Sequence, residues 1–175
     1  LYQEAVRLFA AQKPIVAEIH GPAIGGGLGL ALVADFRVTC PDARFSANFT
    51  RLGFHPGFGL TFTLPNLIGF NRACLMLYTS RRFSGDEAVS MGVADHLVPR
   101  VEVRHAAQEL AREMAAAAPL GVVATRATMR RGMVEQVRAA TEHEREEQAR
   151  LQATADFKEG VKAGLEKRPP KFVGR

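Results

Sequence analysis

The chain has 175 residues, 47% of them hydrophobic, enough to bury a core most simply as one domain. No run of eighteen apolar residues occurs, so no membrane span is expected, and Cys40 and Cys74 have neither Cys-x-x-Cys nor zinc-ligand spacing, so the expectation is reduced thiols, no metal and a cytoplasmic compartment. The net charge of +5 comes from scattered Lys and Arg without tryptophan and with only two tyrosines to stack on bases, which reads as surface charge and argues against nucleic acid as a partner.

The first residues read as a helix that leads through Lys13-Pro14 into a β-type run, Ile15–Ile19. Three glycines, Gly25-Gly26-Gly27, follow, and an apolar helical run continues to about Ala34. Phe36–Thr39 reads as a strand and Arg44–Ala47 as a shorter one, parallel to the first through helical connections, while Pro56 and Pro65 mark turns or helix starts. After Gly69 the pattern is mostly helical. Ser84-Gly-Asp-Glu87 has capping-box spacing, Gly92 ends that helix, and Val93–Val98 returns as a strand. A helix with an inward stripe at Ala107, Leu110, Met114 and Ala117 comes next. Pro119 then starts another with Val122, Val123 and Met129 facing in. The charged run Glu142–Glu147 reads as a solvated helix face with internal ion pairs, and Asp156, three residues before Glu159, as the cap of the last helix.

The glycine corner carries the chemistry. Glycines between a strand and a helix let another group approach the main chain and leave N–H groups without partners, at the positive end of the helix dipole. Such a corner suits an anion or a developing oxyanion, and close packing alone is the competing reading. A dinucleotide fingerprint fails because Leu30 and Leu32 stand where its last glycine or alanine belongs, and no Gly-Lys-Ser or Gly-Lys-Thr follows for a P-loop.

Extended on both sides, the sequence resembles the crotonase (enoyl-CoA hydratase/isomerase) superfamily. The resemblance is carried by Lys13-Pro-Ile-Val-Ala-Glu-Ile-His-Gly-Pro-Ala-Ile-Gly-Gly-Gly27, Ala34-Asp35, Ala43-Arg-Phe-Ser46 and Leu52-Gly-Phe-His-Pro-Gly57. It continues through Leu64-Pro65, Ile68-Gly69, the Phe83–Asp95 block, Asp156–Val161 and Lys167–Phe172. It implies an α/β fold, a ββα superhelix, with residues 1–100 the C-terminal part of that core and 101–175 a helical trimerisation region. It further implies an acyl-CoA thioester as ligand, no cofactor beyond the coenzyme A of the substrate, and a homotrimer or dimer of trimers. Leu1 is not an initiator methionine, and an earlier portion supplying a second oxyanion donor is expected to be absent from this numbering.

In the resemblance the Gly26 amide holds the thioester oxygen, Gly25 and Gly27 permit the approach, and Phe49, Phe54 and Phe58 form apolar walls. The hydratases' two glutamates fall on Gly29 and Phe49, and the carboxylate of related isomerases and a dehalogenase branch on Gly57. Ordinary two-glutamate hydration is therefore not expected, because water addition needs groups that take and deliver protons. His55, in the Phe54-His-Pro-Gly57 turn, is the candidate acid/base, against the plainer reading of a turn histidine bonded to backbone. His20 is expected to pack beneath the loop, Glu18 to be a paired structural carboxylate, and Asp35 to tie the helix end to the next strand. The functions in view are an acyl-CoA-processing lyase or isomerase and, alternatively, a non-catalytic CoA-ester-binding or structural subunit; RNA binding has the weakest support.

Overall fold

The computed structural model describes residues 2–175. The chain opens with α1 (Tyr2–Ala5) and a 3-10 turn, Val6–Ala10, then runs β1 (Val16–Ile19), β2 (Pro22–Ile24), α2 (Gly26–Ala31), β3 (Phe36–Thr39), β4 (Arg44–Ser46) and α3 (Leu60–Ile68). Strands β1 and β3 pair in parallel, Val16 opposite Phe36 through Ile19 opposite Thr39, and β2 and β4 pair in parallel in a second sheet, Pro22 opposite Arg44. The strand–strand–helix unit thus occurs twice, one strand per sheet each time. That is the ββα superhelix. α4 (Phe70–Thr79), β5 (Phe83–Ser84), α5 (Gly85–Met91) and β6 (His96–Leu97) complete it, β6 extending the first sheet in parallel and β5 the second antiparallel.

Burial explains these elements. In β3, Val38 and Thr39 are fully buried, and in β4 so is Phe45, as expected for parallel strands covered on both faces. Leu28, Leu60, Leu64, Met76 and Val93 fill the main core between the sheets and α2–α5. A smaller core gathers Val6, Phe9, Val33, Phe58 and Val137. The rest of the chain is helical: α6 (Val103–Ala116), α7 (Pro119–Met129), α8 (Met133–Gln152) and α9 (Ala155–Leu165).

Asp35 fastens these helices to the sheet. Its carboxylate accepts from Ile15 N at 2.8 Å and from Arg126 Nε at 2.9 Å, and lies 3.3 Å from Arg130 Nη1. Nearby, Arg37 is only 3% exposed and pairs with Asp95 at 2.9 Å.

Several expectations are corrected. α2 ends at Ala31, because Leu32 to Ala34 turn back toward β3. Pro22–Ile24 forms a strand, since its ladder with β4 outweighs a proline that stands at an edge position. The strand expected over Val93–Val98 shortens to His96–Leu97. Pro65 lies inside α3, where its carbonyl still accepts from Gly69 N at 3.0 Å. Ala117 and Met129 are exposed. The last helix is capped by Thr154, whose hydroxyl accepts from Phe157 N at 3.1 Å. Asp156 instead accepts from Val173 and Gly174 N, folding the C-terminal tail onto α9. The capping box of α5 is present, Glu87 accepting from Ser84 N at 2.7 Å and Ser84 from Glu87 N at 3.2 Å.

Candidate functional site

The corner between β2 and α2 is built by Gly25. Its φ of 57° and ψ of −118° suit glycine, and an added Cβ would stand 2.9 Å from Asn48 Oδ1. Its N–H donates to Ser46 O at 2.9 Å and its carbonyl accepts from Gly29 N at 3.1 Å, which fixes the turn against β4. Gly26 is then the first helical residue. No carbonyl among the described residues accepts from its N–H, so the donor at the head of α2 is free. Packing does not require glycine at position 27, which is exposed and has no atom within 4 Å of where a Cβ would stand.

Aromatic rings stand at the three positions where relatives in the resemblance carry carboxylates. At Gly29 a Cβ would lie 2.5 Å from Phe58 Cβ and Cγ; at Gly57 it would overlap the Tyr2 ring and lie 2.6 Å from Gln148 Nε2. Position 49 is itself a phenylalanine, 3% exposed. Phe58 has a positive φ of 66°, so the backbone is bent to place that ring over Gly29.

The expected walls separate into two groups. Phe49 meets Phe54 edge-on at 5.4 Å between centroids, and Phe54 meets Phe157 of α9 at 5.4 Å. Phe58 belongs to the smaller core and faces Tyr2 at 5.5 Å. His55, half-buried, keeps Nδ1 2.8 Å from Pro56 O, while its carbonyl accepts from Gln148 Nε2 at 2.9 Å. With the Nδ1 proton donated to Pro56, Nε2 is left as the acceptor of the neutral ring. His20 and Glu18 are both exposed, so His20 does not pack beneath the loop.

Glu144 escaped the sequence reading. It lies in the run assigned to a solvated face, yet it is 1% exposed. Its carboxylate holds the start of α3, accepting from Gly59 N at 2.7 Å, Thr61 N at 3.0 Å and Thr61 Oγ1 at 2.7 Å. Burial raises its pKa, and the hydrogen bonds from Thr61 and Gly59 and the nearby His55 oppose that shift. The signal was present in the spacing, since Val137, Thr141 and Glu144 recur at four and three residues and all face inward. The neighbours Glu142 and Glu147 do pair at the surface, with Arg145 and Arg150, each at 2.6 Å.

A cavity of about 830 Å³ lies elsewhere, between α3, α7 and the starts of β1 and β3, with Leu32, Asp35, Leu67, Val122, Arg126 and Met133 among its walls. The glycine corner, His55 and the three phenylalanines take no part in it. No helix among the described residues is long and apolar enough to cross a membrane.

The sequence profile described as enoyl-CoA hydratase/isomerase matches residues 1–175. The chain is 35% identical over 176 residues to a crotonyl-CoA hydratase of Syntrophomonas wolfei subsp. wolfei, covering 100% of this chain and 68% of that protein. It is 34% identical over 168 residues to a probable enoyl-CoA hydratase of Rhodobacter capsulatus, covering 96% of this chain and 65% of that one. The crystal structure of an enoyl-CoA hydratase from Mycobacterium avium subsp. paratuberculosis superposes with a TM-score of 0.91 at 25% identity, over 98% of this chain and 70% of that one. The chain thus spans about two thirds of the length of these relatives. Since the profile runs through the glycine corner and the helices behind it alike, the chain belongs to the enoyl-CoA hydratase/isomerase family.

Proposed function

We propose that the chain forms part of an acyl-CoA-processing enzyme in which the Gly26 N–H stabilises the thioester oxygen as it gains negative charge. The observation that carries this is the free Gly26 donor at a fixed corner, in a chain whose relatives are named for crotonyl-CoA and enoyl-CoA hydration. A preorganised main-chain donor needs no reorganisation as charge develops, which is why it favours the enolate over the ground state. Gly25 and Gly27 give the acyl group access, Phe49, Phe54 and Phe58 supply apolar surface, and His55 is the proton carrier. Coenzyme A enters only as part of the substrate, and the expected compartment is cytoplasmic. Residues 1–100 form the later part of the catalytic core, and 101–175 make the contacts of a trimer or dimer of trimers.

The aromatic replacement of all three carboxylates argues against ordinary hydration. A lyase or isomerase step that needs the oxyanion site and fewer positioned proton carriers fits better. The same replacement favours a second reading, a subunit that binds CoA esters without turning them over.

The full-length protein should release measurable heat on titration with butyryl-CoA, and should hydrate crotonyl-CoA at least on the order of 10²-fold more slowly than a two-glutamate enzyme. Absence of heat overturns the acyl-CoA site; fast hydration overturns the role given to the rings. Gly26→Pro deletes the N–H while keeping a residue tolerated at a helix start, and should lower any turnover by on the order of 10²–10³.

A further inference from the structure

We propose that the Tyr2 hydroxyl is a side-chain hydrogen-bond donor to the acyl oxygen at the Gly26 corner. This rests on the acyl-CoA reading above and adds a residue to it. Tyr2 Oη lies 3.4 Å from the point where a Cβ on Gly26 would stand, and Cε1 lies 3.5 Å from it. The phenol oxygen thus borders Gly26, the residue whose N–H has no partner among the described residues.

The ring is held rather than loose. It fills the volume above Gly57 and lies tilted by 55° against Phe58, at 5.5 Å between centroids. The helical turn that carries it continues directly into Val6 and Phe9, both buried in the smaller core. Packing uses the ring alone. The hydroxyl makes no hydrogen bond among the described residues, and it is not sealed inside the protein. A phenylalanine would fill the same space, so the oxygen is surplus to the fold.

Electrostatics decide in which sense the group acts. Burial and the negative charge of Glu144 both raise the phenol's pKa, so the group keeps its proton at neutral pH. A neutral phenol beside an incipient enolate donates. It offers a hydrogen bond that strengthens as charge accumulates on the oxygen, the same differential that the main-chain donor supplies. No covalent step is involved, and the proton stays on Tyr2.

The probe is a cinnamoyl thioester of coenzyme A carrying a para-dimethylamino group, whose absorption moves to longer wavelength as donors polarise its thioester carbonyl. Bound to the full-length wild-type protein, it should show this red shift. Tyr2→Phe, which keeps the ring against Gly57 and Phe58, should reduce the shift clearly while changing Kd by less than about tenfold. Replacing Tyr2 with 3-fluorotyrosine, a stronger donor, should enlarge it. A red shift unchanged in both variants overturns the role of Tyr2 and leaves the acyl-CoA site standing. A wild-type protein that does not bind the thioester overturns the underlying reading instead. Binding without any red shift overturns both donors together.

Discussion

At Gly29 a helix-favouring alanine should help, since glycine costs a helix interior about 1 kcal/mol. The Phe58 ring reverses that, because Cβ and Cγ lie 2.5 Å from the new methyl position. Gly29→Ala is expected to destabilise by about 1–3 kcal/mol in urea denaturation, the usual cost of overpacking. Adding Phe58→Ala should recover part of the loss, giving a non-additive pair; strict additivity would mean that the two positions do not compete for one space. That Gly29, Phe49 and Gly57 carry no ionisable group is legible in the sequence. The crowding at Gly29 and Gly57 is not, because it depends on Phe58 and Tyr2 arriving from elsewhere in the chain.

Helix α8 packs on α3 through Val137 and Phe62 and holds its start through the Glu144 carboxylate. Glu144→Ala leaves Gly59 N, Thr61 N and the Thr61 hydroxyl without their acceptor, and is expected to cost about 3 kcal/mol by chemical denaturation. The pH dependence has a definite sign. Burial holds the Glu144 pKa above its ordinary 4.5, so the folded state binds this proton more tightly than the unfolded chain. The stability this contributes is full below 4.5 and fades as pH rises through the elevated folded value. Wild type should therefore lose stability relative to Glu144→Gln as pH rises above 4.5, with denaturant midpoints as the readout. The opposite slope would mean that the three hydrogen bonds outweigh burial.

Elements with local signatures were readable in advance. β3 covers the Phe36–Thr39 stretch read as a strand, and α5 carries its own capping box. β2 was hidden because three residues with a leading proline become a strand only through their ladder with β4. Glu144 was hidden because its charge outvoted its position on the buried face of α8.

The whole molecule leaves large apolar side chains uncovered on its helical half. Leu120 is 86% exposed, Met129 81% and Leu165 81%. Surface of this kind is what an oligomer removes from water. Leu120→Asp with Met129→Asp should shift the full-length protein to a smaller species in sedimentation velocity, with its thermal midpoint little changed. A wild-type protein that sediments as a monomer would remove the trimer from the account. The overall architecture was legible because its motifs recur in order along the chain. The helices' outward faces were not, since Met129 has the spacing of an inward residue and ends in solvent.

Asp35 bonds to Ile15, twenty residues behind it, and to Arg126, ninety-one ahead. Protein synthesis runs from the amino end, so the β1–β3 and β2–β4 strand pairs leave the ribosome before Arg126 is made. Settling of the early sheets into their final charge balance accordingly waits for α7 to be made.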